Sequence, residues 1–413
     1  MKTVLRFPRL FGIFAFAFLA VSLGVTAESR AAIGVTCSPT LPAAGQVTSF
    51  PISCVVDCPG GGTVASVLHF RPRTTNRLKI TIEGTCKEAV DFVPSGVTLQ
   101  GAAAGDGLTA PSASANPVLG ISGGGVILNN LTLSGGVNPL LLHNNSGVTG
   151  NHLVISGGSV QNVLAMGAIE LANSTIENSA GDGIDAEWGG TVFLDGGTVE
   201  KNAGYGLLAE QGSRIDVLGG ATISNNGTSG TLSAGALAVM AGVVSVSDGT
   251  IENNTFVGIE TVDGGDAKLI TSSAIVRSNA GDGVEVFGGS FHANGGVVTG
   301  NSGNGISVYN SGTALLNGNA NVASNAGNGV LVWDGSVTVG SLGGPATIQS
   351  NSGNGIYVET NSVASFFNSG SQILNNTGWG IVCDGAPANP LYGGYTPTVS
   401  GNGKGQISCN KAP

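Results

Sequence analysis

One phrase built on asparagine recurs through most of this chain. Asn301 opens Asn-Ser-Gly-Asn-Gly-Ile-Ser-Val, and Asn325 opens Asn-Ala-Gly-Asn-Gly-Val-Leu-Val. Related phrases start at Asn178, Asn202, Asn226, Asn254, Asn279, Asn301, Asn325, Asn351, Asn376 and Asn402, at intervals of 24, 24, 28, 25, 22, 24, 26, 25 and 26 residues. A period of this size marks a repeat architecture, whose units cannot bury their own apolar face and must stack on their neighbours.

Three residues before every asparagine stands a β-branched residue, from Val199 and Ile223 through Ile373 and Val399; only Thr175, in the first phrase, is not aliphatic. After most asparagines a glycine precedes an apolar alternation such as Ile306 and Val308 or Val330 and Val332. Branched residues at period two are the pattern of strands with one face inward. A third apolar run, such as Leu315 and Leu316 or Val337 and Val339, lies between these two. The expectation is an all-β, single-stranded parallel β-helix, a solenoid of about 12 coils of about 25 residues, each with about three strands. The asparagines are expected at an inward corner, each amide bonded to the same amide one coil away. The neighbouring glycines are expected to supply the positive φ of that corner.

Lys2, Arg6 and Arg9 precede an apolar run from Leu10 to Leu23 that ends in Val25-Thr26-Ala27, so residues 1–27 read as a signal peptide. Residues 28–77, with prolines and cysteines and no repeat, read as an N-terminal cap, and residues 78–410 as the solenoid. The expected location is secreted: extracellular, cell surface or periplasm, with no membrane insertion after cleavage. Loss of the three basic residues in the leader leaves 12 basic against 25 acidic residues, a formal charge of −13. That balance argues against nucleic acid as a partner.

Six cysteines beyond the leader fit an oxidising compartment. Cys383 and Cys409 lie one coil apart in equivalent positions. The spacing of about 4.8 Å between stacked strands brings them within disulfide range. Cys37, Cys54, Cys58 and Cys86 allow three pairings, of which Cys37 with Cys86 and Cys54 with Cys58 is the expected one.

The repeat Asn-x-Gly-x-Gly-[Ile/Val]-x-Val, the segment Ile-Glu-Gly-Thr-Cys-Lys-Glu from Ile82 to Glu88, and the ending Gly-Ile-Val-Cys-Asp-Gly to Gln-Ile-Ser-Cys resemble right-handed parallel β-helix repeat proteins of the pectate-lyase-like superfamily. The resemblance implies the right-handed coil. It leaves function open, because that superfamily includes lyases, hydrolases, epimerases, esterases and adhesins. A lyase of the family implies calcium on carboxylates and a basic residue as proton acceptor. Here the basic residues within the coils are sparse, chiefly Lys201, Arg214, Lys268, Arg277 and Lys404, and do not converge.

What remains is the outward face of the strand that follows each glycine. Phe287, Tyr309 and Trp333 share one register on three successive coils, with Tyr357 on the next. They are the candidate ligand-binding residues, a ladder of rings at about 4.8 Å on which sugars could stack. Acidic residues occupy the coils before them. No catalytic group, metal or other cofactor is expected. If chemistry is present, Asp185 and Glu187, about 6.5 to 7 Å apart along a strand, would be an inverting carboxylate pair. If calcium is bound, Glu210, Glu260 and Glu285 would hold it. The expected function is an exported, non-catalytic β-helix that binds polysaccharide or acts as a surface scaffold; the alternative is a polysaccharide lyase or glycoside hydrolase.

Overall fold

A short strand with every second side chain apolar has one face to bury, and in a repeating chain the equivalent strand of the next turn shares the task. The computed structural model describes residues 33–38, 51–69, 78–111, 116–228, 234–359, 361–384, 391–392 and 394–409. All of them lie within one compact unit, residues 32–413. The expected signal peptide falls outside the described residues.

The unit is a right-handed parallel β-solenoid of about fourteen turns, two more than the period indicated. The earliest coils lack the asparagine phrase. Parallel stacking already begins at Ile52–Asp57 against Leu78–Glu83, so the solenoid starts before residue 78. A representative coil runs Val284–Phe287, Ser290–Asn294 and Val297–Thr299, and these pair in parallel with Ile306–Tyr309, Thr313–Asn317 and Ala320–Ala323 of the next. The first strands of the coils form a sheet of fourteen. The other two faces join into one sheet of 28 strands, because Ala168–Glu177 and Thr191–Glu200 run unbroken through their corner. Val284, Val286, Ile306, Val308, Val330 and Val332 are fully buried in the core. A six-residue helix, Val64–His69, packs Val64 and Val67 inward near the N-terminal end.

The asparagines run as a hydrogen-bonded ladder from Asn202 to Asn402. Asn325 Nδ2 donates to Asn351 Oδ1 at 3.0 Å and to Val298 O at 3.2 Å. Its Oδ1 accepts from Asn301 N at 3.1 Å and Asn301 Nδ2 at 3.0 Å. An asparagine amide has two N–H bonds and two lone pairs, so each internal rung is fully satisfied. Gln406 closes one end by accepting from Asn402 Nδ2. At the other end Ser179 N and Asn162 Nδ2 both donate to Asn202 Oδ1.

Asn178 is not a rung. Glu177 pairs with Glu200, which places Ser179 opposite Asn202, and it is Ser179 that is buried. The one-residue offset also explains Thr175, since Ile176 holds the inward position. Directly before the asparagine, a glycine supplies the expected positive φ only at Asn301 and Asn402, as Gly300 (65°) and Gly401 (69°). Positive φ falls on the residue before the asparagine: Lys201 (55°), Asn225 (56°), Asn253 (55°), Ser278 (54°), Ser324 (56°) and Ser350 (56°). The glycine four residues after the asparagine is needed for close approach. A Cβ on Gly329 would stand 2.4 Å from Ile348 Cγ2 and 2.7 Å from Asn351 Nδ2 on the next coil.

Three disulfides join Cys37 to Cys54, Cys58 to Cys86 and Cys383 to Cys409. The expected pairs Cys37 with Cys86 and Cys54 with Cys58 are therefore corrected. Cys54 lies within the extended strand Ile52–Asp57, so Cys58, four residues on, is about 13 Å away. Cys37 instead faces Cys54 across an antiparallel pair, and Cys58 meets Cys86 with a Cα separation of 4.9 Å. Cys383 and Cys409 are direct partners on adjacent coils, 4.6 Å apart at Cα.

Replacing one rung strands buried donors and acceptors, at a cost of about 1 to 3 kcal/mol. Asn325→Ala should lower the midpoint of thermal unfolding, whereas Ser302→Ala should not, since Ala280 and Ala326 occupy the equivalent sites; equal midpoints would contradict the ladder's role. The Cys383–Cys409 bridge closes a loop of 26 residues, worth about 3 kcal/mol in the loop-entropy model. Limited proteolysis of Cys383→Ser/Cys409→Ser should first cut within the last coil, at a rate well above that of the parent.

Candidate functional site

The fourteen-stranded sheet presents two outward columns. In the first, Asp185, Leu208, Leu237, Glu260, Glu285 and Ser307 are successive Cα partners, continuing to Leu331 and Tyr357. The second lies two residues further along each strand and runs Val239, Val262, Phe287, Tyr309 and Trp333. Strand alternation sends both columns outward, and the coil spacing fixes neighbours within each.

Phe287, Tyr309 and Trp333 do fall in one column, but not as a parallel stack. The Tyr309 and Trp333 rings meet edge to face, with centroids 6.2 Å apart and planes at 71°. This arrangement places the positive edge of one ring against the negative face of the other. Trp333 remains 54% exposed and Phe287 38%. Tyr357 stands apart from them, in the column of Glu260 and Glu285, and its hydroxyl donates to Asp384 Oδ2 at 2.9 Å.

The acidic residues regroup. Glu210 follows Leu208 by two positions and is separated from the coil of Glu260 by the intervening strand Ala236–Val239, so Glu210, Glu260 and Glu285 do not converge. Glu260 and Glu285 are neighbours in the first column. Glu210 joins Asp185 and Glu187 instead, and each offers an oxygen within 4.8 Å of the others. A spacing of this size is nearer the roughly 5 to 5.5 Å of a retaining carboxylate pair than the roughly 6.5 to 9.5 Å of an inverting one. Trp188, the next residue, is 60% exposed at φ 52° in the turn that leaves the strand. Its place beside the acids was not singled out from the sequence, although its adjacency to Glu187 is visible there.

Four of the five basic residues singled out in the coils are engaged in ion pairs; Lys404 precedes the last strand of this sheet, Gly405–Cys409. Arg214 bonds Asp216 at 2.6 Å and Lys268 bonds Asp266 at 2.7 Å, both on the larger sheet, with the strand Val243–Val246 between them. Arg277 pairs with Glu252 and Lys201 with Glu200. A second amide ladder also went unread. Asn354 N and Nδ2 donate to Asn328 Oδ1, and Asn328 N and Nδ2 to Asn304 Oδ1. Asn304 N in turn donates to Asp282 Oδ1 at 2.6 Å. The Gly-Asn-Gly of successive phrases was its signal.

Asp185 is buried, 5% exposed, and its Oδ1 has no hydrogen-bond partner. Burial first, then the charges of Glu187, Glu210 and Asp182, push its carboxyl up to about 9. An aspartate in the unfolded chain ionises near about 3.9. Between those values the folded state holds the extra proton, so stability is greatest below the lower one and falls as pH rises through the window. In chelator-containing buffer, Asp185→Asn should raise the unfolding midpoint more at pH 8 than at pH 4. A shift independent of pH would contradict the assignment.

Residues 159–325 match the family model described as right handed beta helix region. No curated protein matches the chain. Among solved structures it is similar to the A-module of Azotobacter vinelandii mannuronan C-5 epimerase AlgE6, at 13% identity and TM-score 0.33 over 81% of this chain and 89% of that one. It is similar to the AlgE4 A-module at 12% and 0.36, over 81% and 91%. The catalytic domain of a GH87 alpha-1,3-glucanase matches at 13% and 0.29, over 79% and 64%. With three short strands to a coil and an asparagine at a fixed corner, the chain has the fold of a right-handed parallel β-helix, and its residues 159–325 match the model of that region.

Proposed function

We propose that this protein is an exported, non-catalytic β-helix that holds extracellular or surface polysaccharide on its fourteen-stranded sheet. The observation that carries the reading is the aromatic column: Phe287, Tyr309 and Trp333 on three successive coils, two of them more than a third exposed. The apolar C–H faces of a sugar ring bind to aromatic rings, and a column with a regular rise suits a ligand that is itself a repeating chain. Three disulfides support an oxidising compartment. Among the described residues no helix is long and apolar enough to cross a membrane.

The lyase and hydrolase alternative has less to rest on. The arginine and lysine that could remove a proton are each bonded to a carboxylate on another sheet. For a hydrolase, only the proximity of Asp185, Glu187 and Glu210 speaks.

Retention in affinity electrophoresis through gels cast with acidic and neutral polysaccharides tests the proposal. Trp333→Ala should weaken binding by about 2 kcal/mol, roughly thirtyfold, as for a central aromatic anchor. Its exposed side chain should leave the unfolding midpoint nearly unchanged. The same mixtures should gain no reducing ends. Retention that is indifferent to Trp333, or steady release of reducing ends, would overturn the reading.

A further inference from the structure

The group formed by Asp185, Glu187 and Glu210 has a chemistry that the aromatic column does not use. Asp185 lies on the strand Asp182–Ala186, Glu187 just beyond its end, and Glu210 just beyond Leu207–Ala209 of the next coil. All three carboxylates reach within 4.8 Å of one another. Two oxygens bound to one calcium at about 2.3 to 2.6 Å can stand up to about 5 Å apart, so this span fits a shared ion.

A second observation is independent of the crowding. The Asp185 side chain is 95% buried by its 5% exposure, and Oδ1 is without any partner. Asp182 and Asp282, at the start of this strand and of its equivalent Val284–Phe287, are provided for. Asp182 Oδ1 accepts from Tyr205 N at 2.7 Å, and Asp282 accepts from Asn304 N and from the Ser307 hydroxyl, both at 2.6 Å. Asp185 alone of these has an oxygen turned from water with no donor opposite. The charges that bear on it, Glu187, Glu210 and Asp182, are all negative, and its one side-chain hydrogen bond is to Glu187, within the group.

We infer that Asp185, Glu187 and Glu210 form a calcium site that ties two successive coils together. Three carboxylates with no sulfur or imidazole select a hard cation. The cluster is an irregular set of side chains from two coils, which suits the flexible coordination of calcium better than the strict octahedron of magnesium. Water completes the shell. The site lies on the same sheet as the aromatic column but does not depend on it.

The test uses the mature full-length protein, stripped with EDTA. Terbium, a luminescent stand-in for calcium, is titrated with excitation through tryptophan. Trp188 adjoins Glu187 and serves as the antenna. Expected are sensitised emission at one ion per chain, its displacement by calcium, and a calcium-dependent rise in unfolding midpoint larger than that from magnesium. Asp185→Asn and Glu210→Gln should each weaken binding at least about tenfold, the loss usual even for groups that only support a ligand. Trp188→Phe should lose the emission while keeping the calcium-dependent midpoint. Absence of a calcium shift in the parent, an equal shift with magnesium, or a full shift retained in both carboxylate variants would overturn the site. Because Trp333→Ala leaves these readouts untouched, failure here is separable from failure of the glycan reading.

Discussion

Everything in this molecule depends on one distance, the rise of about 4.8 Å between parallel strands joined by backbone hydrogen bonds. Once that rise is imposed, each side chain meets its own counterpart on the next coil, and only residues that tolerate their own kind can repeat. Aliphatic side chains do so by packing, as Val284, Ile306, Val330 and Ile356 do in the core. Amides do so by donating to one neighbour and accepting from the other, as Asn202 to Asn402 do. The corner is held by these bonds strongly enough that lysine, serine and asparagine occupy left-handed backbone there, a conformation that costs a residue with a Cβ roughly 1 to 2 kcal/mol.

The same rise decides what the outward face can do. Aromatic rings cannot stack flat at 4.8 Å without leaving a gap, so Tyr309 and Trp333 turn edge to face and leave an uneven apolar surface. Carboxylates cannot follow the amide pattern, because an ionised carboxylate has acceptors and no donor. They survive where backbone or hydroxyl donors of the next coil reach them, as at Asp182 and Asp282.

Much of the fold was legible because inward positions repeat with the chain. The β-branched residues before each asparagine and the alternation after each glycine named the strands. Errors arose where a contact depends on the exact number of residues in a turn. Asn178 belongs to a phrase that matches the others, yet its strand register shifts the rung to Ser179. Cys54 and Cys58 are close in sequence and far apart along a strand, while Cys58 and Cys86 are the reverse. The first stacked strand, Ile52–Asp57, lies in a Pro- and Cys-rich stretch with no repeat and so was read as cap.

The site was legible in part, for a reason that follows from the same geometry. The aromatic column needed only three equal registers, and the coils from Val284 to Trp333 have them. The acidic group needed an offset between registers: Asp185 and Glu260 share a column, whereas Glu210, between them in sequence, belongs beside Glu187. A sequence read by residue type gathers glutamates with glutamates, and only the backbone register shows which of them share an ion's volume. Like charges on successive coils are therefore informative in a way that repeated amides are not. An amide column explains itself through its own bonds, while a buried carboxylate among carboxylates requires a positive charge from outside the chain, as a proton or a cation.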